Sequence, residues 1–306
     1  MTDAALQLDL GLDKGRSLWS DAWQRLIRRK LVVAALVVVG IYVLIAAGVY
    51  RGLIASKWND QVGPRYQAPS AQHSLGTDIF GRSVWRKTLY GAQISITVAL
   101  LASVISIGIG VPLGAIAGYF KGKTDEIIVW LFSTVQSVPG IILIMALAYV
   151  LRDKTLFGQP LRGISVVYVA IGLTSWVGIC RLIRGEVIKH RDRDYVTAAR
   201  AYGCSRGRII LRHIIPNVFH LIIINFSLQS VSFIHTEVIL SFLGLGVKDK
   251  PSWGVMISDA RQELYQGCWW QLVAATVAIG LLSLALNVVG DALRDAIDPK
   301  LREARQ

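Results

Sequence analysis

The chain has 306 residues, of which 53% are hydrophobic and only 17% charged, and it carries a formal net charge of +13. This excludes an ordinary soluble domain, where about a quarter of residues are charged, and the apolar residues gather into long runs. The basic residues fall between those runs with no zinc, RNP or helix-turn-helix pattern, so nucleic-acid binding is set aside and the charge reads as topology.

Ahead of the first run, Leu18, Trp19, Ala22, Trp23, Leu26 and Ile27 recur at helical spacing beside Arg25, Arg28, Arg29 and Lys30. Residues 1–30 are therefore predicted to be a cytoplasmic segment with an amphipathic helix on the lipid surface, indoles at the interface and cations toward anionic headgroups. An ordinary basic flank is the alternative. Apolar runs follow near 31–50, 92–120, 127–151, 165–183, 218–245 and 271–290, each long enough for the roughly 20 helical residues that cross a hydrocarbon core. They must be helices, because lipid satisfies no open backbone and no alternating strands are present to close a barrel. The predicted fold is all-α, a polytopic membrane protein of about six transmembrane helices. The first run is too long for a cleaved signal peptide and is expected to remain as an anchor.

Asn59, Asp60, Gly63, Pro64, Pro69 and Ser70 mark 51–91 as a periplasmic segment. It divides the anchor at 31–50 from a five-helix core at 92–290, with a cytoplasmic tail at 291–306. The N-terminus and the second, fourth and last connections hold the larger share of the 33 Lys and Arg residues, which predicts both termini on the cytoplasmic side. Arg82, Arg86 and Lys87, near the entrance to the second span, run against that pattern. Cys180, Cys204 and Cys268 are scattered singly, suggesting neither a disulfide framework nor a metal cluster, and the histidines at 73, 190, 213 and 220 are too dispersed for a metal site.

In the second span Ala102, Ser106, Gly110, Gly114 and Gly118 fall four apart, leaving one helix face almost without side chains for another helix to approach. Pro112 and Pro139 are predicted to bend their helices. Gly118 to Thr124 has the look of a phosphate loop but is one residue too short and follows a membrane helix, so it reads as a basic turn. No ATP site is visible, and energy for active transport has to come from a partner.

The connection at 184–217 is a polar, basic island between apolar runs, longer than a simple turn requires. Tyr195 to Gly203 can form one short helix, Gly203 allows a break, and Ile209 to Ile215 can form another before Pro216. Ala198 and Ala199 permit close approach, while Arg200, Arg206, Arg208 and Arg212 offer cations. It is either a handle gripped from outside the membrane or a solvated basic loop. In the next run Asn225, Gln229, Ser232 and Thr236 occupy one helix face, which either glues the bundle or wets a translocation path, the favoured reading. His235 and Glu237 sit beside it, and no convergent acid, base, nucleophile or metal set is seen. Trp253, Trp269 and Trp270 are expected at the membrane interface.

These residues resemble the dipeptide, oligopeptide and nickel branch of ABC-importer permeases, in particular its C-type subunit. Ala198, Ala199, Gly203 and Pro216 match the family's coupling loop, although Thr197 stands where an acidic residue is usual. The segments His73 to Asp78 with Gly81-Arg82, Ser241 to Gly246, Pro251 to Gly254, and Gly290 to Asp295 with Asp298-Pro299 match further signatures, apart from Ser74 in place of a proline. The resemblance spans roughly residues 28 to 302. It implies the type I importer permease fold in a bacterial inner membrane and alternating access. Tyr195, Ala198, Ala199, Arg200, Gly203, Arg212 and Pro216 would then couple to ATPases. Implied partners are a second, B-type permease chain, two cytoplasmic ATPases that bind ATP and Mg, and a periplasmic or lipid-anchored solute-binding protein. This chain itself would be no enzyme and hold no cofactor. A proton-coupled carrier and a nickel or other small-solute permease remain the alternatives.

Overall fold

The computed structural model describes residues 26–156, 158–247 and 249–297. The surface helix expected around Leu18, Trp19, Ala22 and Trp23, and the tail with Asp298-Pro299, lie outside them. Leu26, the described end of that stretch, is buried with Val32 and Ala292.

Long helices dominate: α1 (Lys30–Tyr50), α2 (Val84–Phe120), α3 (Gly122–Gln136), α4 (Gly140–Leu151), α5 (Ile164–His190), α6 (Asp194–Ala201), α7 (Arg206–Ile209), α8 (Ile215–Phe242), α9 (Trp253–Glu263) and α10 (Trp270–Ile297). A small antiparallel hairpin, β1 (Thr155–Leu156) with β2 (Gln159–Pro160), joins α4 to α5. Five helical stretches are long and apolar enough to cross a membrane: α1, α2, α5, Arg206–Phe242 and α10. The α3–α4 pair is apolar enough only when taken together and is bent by 90°, the form of a broken span or a re-entrant loop.

The bend falls at Pro139, where one was expected, and divides the run over 127–151 into two helices. Pro139 has no N–H to continue the helix ladder, and its ring bars Val138 from helical backbone. Ser137 closes α3 by donating its hydroxyl to Thr134 O (2.7 Å). Pro112, expected to bend its helix as well, lies inside the continuous 37-residue α2. α2 also starts earlier than the apolar run, because Ser83 caps it by accepting from Arg86 N.

The small-residue face of α2 meets α5 backbone to backbone. A Cβ at Gly110 would sit 2.6 Å from Trp176 O, and one at Gly118 would sit 2.7 Å from Arg184 O; at Gly114 it would run into Cys180 O. From the other side, Gly172 of α5 makes room for Ile105: a Cβ there would stand 2.6 Å from Ile105 Cβ and 3.1 Å from Ala102 O. Lipid gives helices no hydrophobic reason to associate, so this close dispersion contact holds the pair. Arg184 adds a two-pronged bond to Asp125 of α3 (2.5 and 2.7 Å), and Arg191 donates to Gly118 O (2.7 Å) at the end of α2. The anchor α1 lies against α2 and α10, with Tyr42 OH donating to Ala278 O (2.9 Å).

Gly114→Leu is expected to destabilise the protein by about 3 kcal/mol or more, since no rotamer can avoid backbone. Gly108→Ala, on the same helix where a Cβ meets nothing within 4 Å, is expected to be neutral or up to about 1 kcal/mol stabilising. Thermal unfolding of the two variants in detergent checks the contrast; equal losses would contradict the packing account.

Candidate functional site

The basic connection folds into a docked helix. α6 has Asp194 in its first turn, favourable to the helix dipole. It ends in a left-handed glycine cap: Gly203 at φ +74°, with Gly203 N donating to Arg200 O (2.9 Å) and Cys204 N to Ala199 O (3.1 Å). Val196 and Ala199 are buried in a cluster with Tyr119, Val187 and Ile209, and Tyr195 OH is hydrogen-bonded to His190 Nδ1 (2.9 Å). The opposite face leaves Thr197, Ala198 and Tyr202 exposed, Tyr202 at 88%.

Three of the expected coupling residues, Tyr195, Ala199 and Arg200, therefore have neighbours in their own chain. Ala199 packs into its own chain, and Arg200 donates to Arg191 O (3.0 Å) with its guanidinium over the Tyr119 ring. They fasten α6 to the ends of α2 and α5. Arg212 and Pro216 are exposed. The second helical piece also differs from expectation, because α7 runs into α8 through a π turn at Ile210–Ile214 instead of stopping before Pro216. Ile215 N reaches back to Ile210 O in that wider turn. The turn accommodates a proline that could not continue a tight ladder, and Asn217 Nδ2 donates to His213 O (2.6 Å).

The polar face of α8 divides. Gln229 Oε1 accepts from Ser106 Oγ of α2 (3.5 Å), and its amide nitrogen faces Gly178 of α5. Asn225 Oδ1 is buried without a partner. Ser232 is exposed, and Thr236 donates its hydroxyl to Ser232 O (2.9 Å). Beside Gly178 lies an open cavity of about 400 Å³ at the α3–α4 break, lined by Gln136, Val138, Gly140, Thr174 and Ser175 among others. Sequence reasoning missed Gln136, Thr174, Ser175 and the nearby Arg181; a cation within an apolar run was the available signal. His235 is hydrogen-bonded to Ser283 of α10 (3.0 Å). Glu237 is fully buried and accepts from Ser241 Oγ (2.7 Å), in the packed interior instead of on an open face.

The other signature segments meet at the opposite end of the bundle. Lys87, 1% exposed, donates to Asp78 Oδ2 (3.0 Å) and Gln271 Oε1 (2.8 Å), while Arg82 pairs with Asp78 (2.7 Å). Lys87 and Arg82 are thus not the free loop charges that weighed against the topology. Trp253 and Trp270 are corrections too, since both are buried: Trp253 Nε1 donates to Thr88 O and Trp270 Nε1 to Thr77 O (both 2.9 Å). Trp253 rests on Gly91, where a Cβ would stand 2.6 Å from its Nε1. Only Trp269 of the three is exposed, at 54%.

A bundle of membrane-length helices, with a docked helix at one end and an open cavity at a helix break, is the architecture of a permease subunit. The chain belongs to the family of binding-protein-dependent transport system inner membrane components, whose family model matches residues 110–303. The N-terminal TM domain of oligopeptide transport permease C matches residues 17–69. The dipeptide transport system permease protein DppC of Bacillus subtilis is 36% identical, with 94% of this chain and 87% of that protein covered. The oligopeptide transport system permease protein OppC of Haemophilus influenzae is also 36% identical, covering 94% and 91%. A solved chain of the MetNI methionine ABC transporter, in an inward-facing conformation, superposes with a TM-score of 0.52 at 15% identity. The superposition covers 68% of this chain and 96% of that one, and it shows the fold.

The Asp78 cluster carries a pH signature. Burial works against the Asp78 charge, but Lys87, the Arg82 N–H and the Arg82 guanidinium hold its carboxyl below the ordinary 3.8. A group lowered in this way stabilises the fold above its unfolded value and stops doing so as pH falls through the folded one. Asp78→Asn leaves the Lys87 ammonium buried without its counter-charge and is expected to cost about 3–5 kcal/mol at pH 7. Melting of the purified chain checks this, and the gap between wild type and variant should narrow below pH 3.8. A gap that is absent at pH 7, or constant with pH, would contradict the assignment.

Proposed function

We propose that this chain is the membrane-spanning subunit of an ATP-driven importer whose cargo is a di- or oligopeptide. The observation that carries the reading is α6. It is seated on the ends of α2 and α5 by Val196 and Ala199, with Thr197, Ala198 and Tyr202 turned outward. A helix fixed on one face and open on the other suits a partner that pushes it. α7 is continuous with α8, so displacement at the loop passes into a span as a rigid lever. The names of the Bacillus and Haemophilus relatives support a peptide cargo.

In this reading both termini and α6 face the cytoplasm. Two cytoplasmic ATPases bind ATP and Mg and grip α6 here and its counterpart on a second, B-type permease chain. A periplasmic or lipid-anchored binding protein delivers cargo at the end built around Asp78, Lys87 and Trp253. ATP-driven closure of the ATPases moves α6 and opens the path between the two permease chains, which the Gln229 face and the α3–α4 cavity line here.

The test is uptake by the full complex in vesicles. Uptake should require ATP and survive a protonophore. Ala198→Trp should reduce it about tenfold or more, the loss expected when a close contact worth roughly 2 kcal/mol is destroyed. Glu237→Gln should leave it largely unchanged. Uptake that follows the proton gradient, or that ignores Ala198→Trp, would overturn the importer reading.

A further inference from the structure

We propose that Arg181 binds the terminal carboxylate of a peptide in transit, beside the cavity at the α3–α4 break. The inference rests on the import reading above and names the chemical group that the path recognises.

An arginine on a membrane-crossing helix is costly unless it is paired or used. α5 has two within one turn, and they are treated differently. Arg184 is neutralised by both oxygens of Asp125 (2.5 and 2.7 Å). Arg181 is exposed, lies over the Phe132 ring at 5.1 Å, and donates through Nη2 to the neutral amide oxygen of Gln136. Among the described residues no carboxylate pairs with it. Gln136 thus orients the guanidinium without cancelling its charge and takes one of its five donors.

The surroundings fit a peptide end. Arg181 is not part of the cavity wall but is bonded to Gln136, which lines the cavity of about 400 Å³ together with Thr174, Ser175 and Gly178, a size within the range of small-ligand sites. Thr174, Gly178 and Arg181 follow at i, i+4 and i+7, which is one face of α5. The Thr174 hydroxyl proton is shared between Ala170 O and Ile171 O (2.8 and 3.1 Å), so Thr174 offers the carboxylate no donor and Arg181 is the group that would bind it. A guanidinium fork meets a carboxylate through two parallel bonds, a geometry that neither an amide nor an uncharged sugar reproduces.

The experiment compares ATP-dependent uptake of one peptide and its C-terminal amide by the full complex in vesicles, at saturating binding protein. The binding protein is common to all arms, so its own preference cancels when variants are compared. Wild type should favour the free carboxylate, and Arg181→Gln should reduce that preference about tenfold. Arg181→Lys should keep part of it. Gln136→Glu, which places a carboxylate against the guanidinium while leaving Arg181 in place, should reduce it as well. If Arg181→Gln and Gln136→Glu slow both peptides equally and leave the preference intact, Arg181 is structural or pairs with an acid of the neighbouring permease chain, and the proposal fails. If wild type takes up neither peptide with ATP, the import reading falls and this one falls with it.

Discussion

Everything in this chain hangs on the contact between α2 and α5. In water, burial of apolar side chains would drive two such helices together; in lipid it does not, and only close packing and polar bonds remain. Ser106, Gly110, Gly114 and Gly118 remove the side chains that would hold the backbones apart, and Gly172 answers from α5. Once the pair is fixed, its shared end offers a seat for α6, formed by Tyr119 and Val187. Its middle presents Ser106 and Gly178 to Gln229. The same α5 carries Arg184, which holds α3 through Asp125, and Arg181, which reaches Gln136 where α3 ends.

The two ends of the bundle are built by different physics. At the loop end the fold is held by small apolar contacts and backbone caps, and several cations are spent internally: Arg191 on Gly118 O, Arg200 on Arg191 O and Tyr119. At the other end a buried ionic cluster around Asp78 and Lys87 joins the 51–83 segment to α2 and α10, and two buried indoles close it. Truncating one member of such a cluster strands a buried charge.

Much of this was legible in the sequence. The crossings appear as apolar runs, the glycine stripe gives itself away by its spacing, and the Gly203 break is the φ +74° cap that only a glycine adopts at low cost. What was not legible depended on tertiary partners. Lys87 looks like loop charge until Asp78 and Gln271 close on it, and Trp253 looks interfacial until Gly91 makes room beneath it. Ala199 and Ala198 are equally small, and only the seating of α6 decides which faces inward. Pro139 marks a bend, but nothing in its chemistry fixes an angle of 90°. Arg181 lies within the apolar run at 165–183, inside α5, but only the structure brings it to Gln136 across the α3–α4 break.

The central claim is that the outward face of α6 is held by a nucleotide-hydrolysing subunit on the cytoplasmic side. Single cysteines at positions 197, 198, 199 and 202, crosslinked in the purified full complex with and without ATP, test it most directly. Positions 197, 198 and 202 should crosslink to the ATPase in a nucleotide-dependent manner, and position 199 should not. Crosslinking from 199 alone, or labelling of 202 by a membrane-impermeant reagent added outside intact cells, would contradict the account.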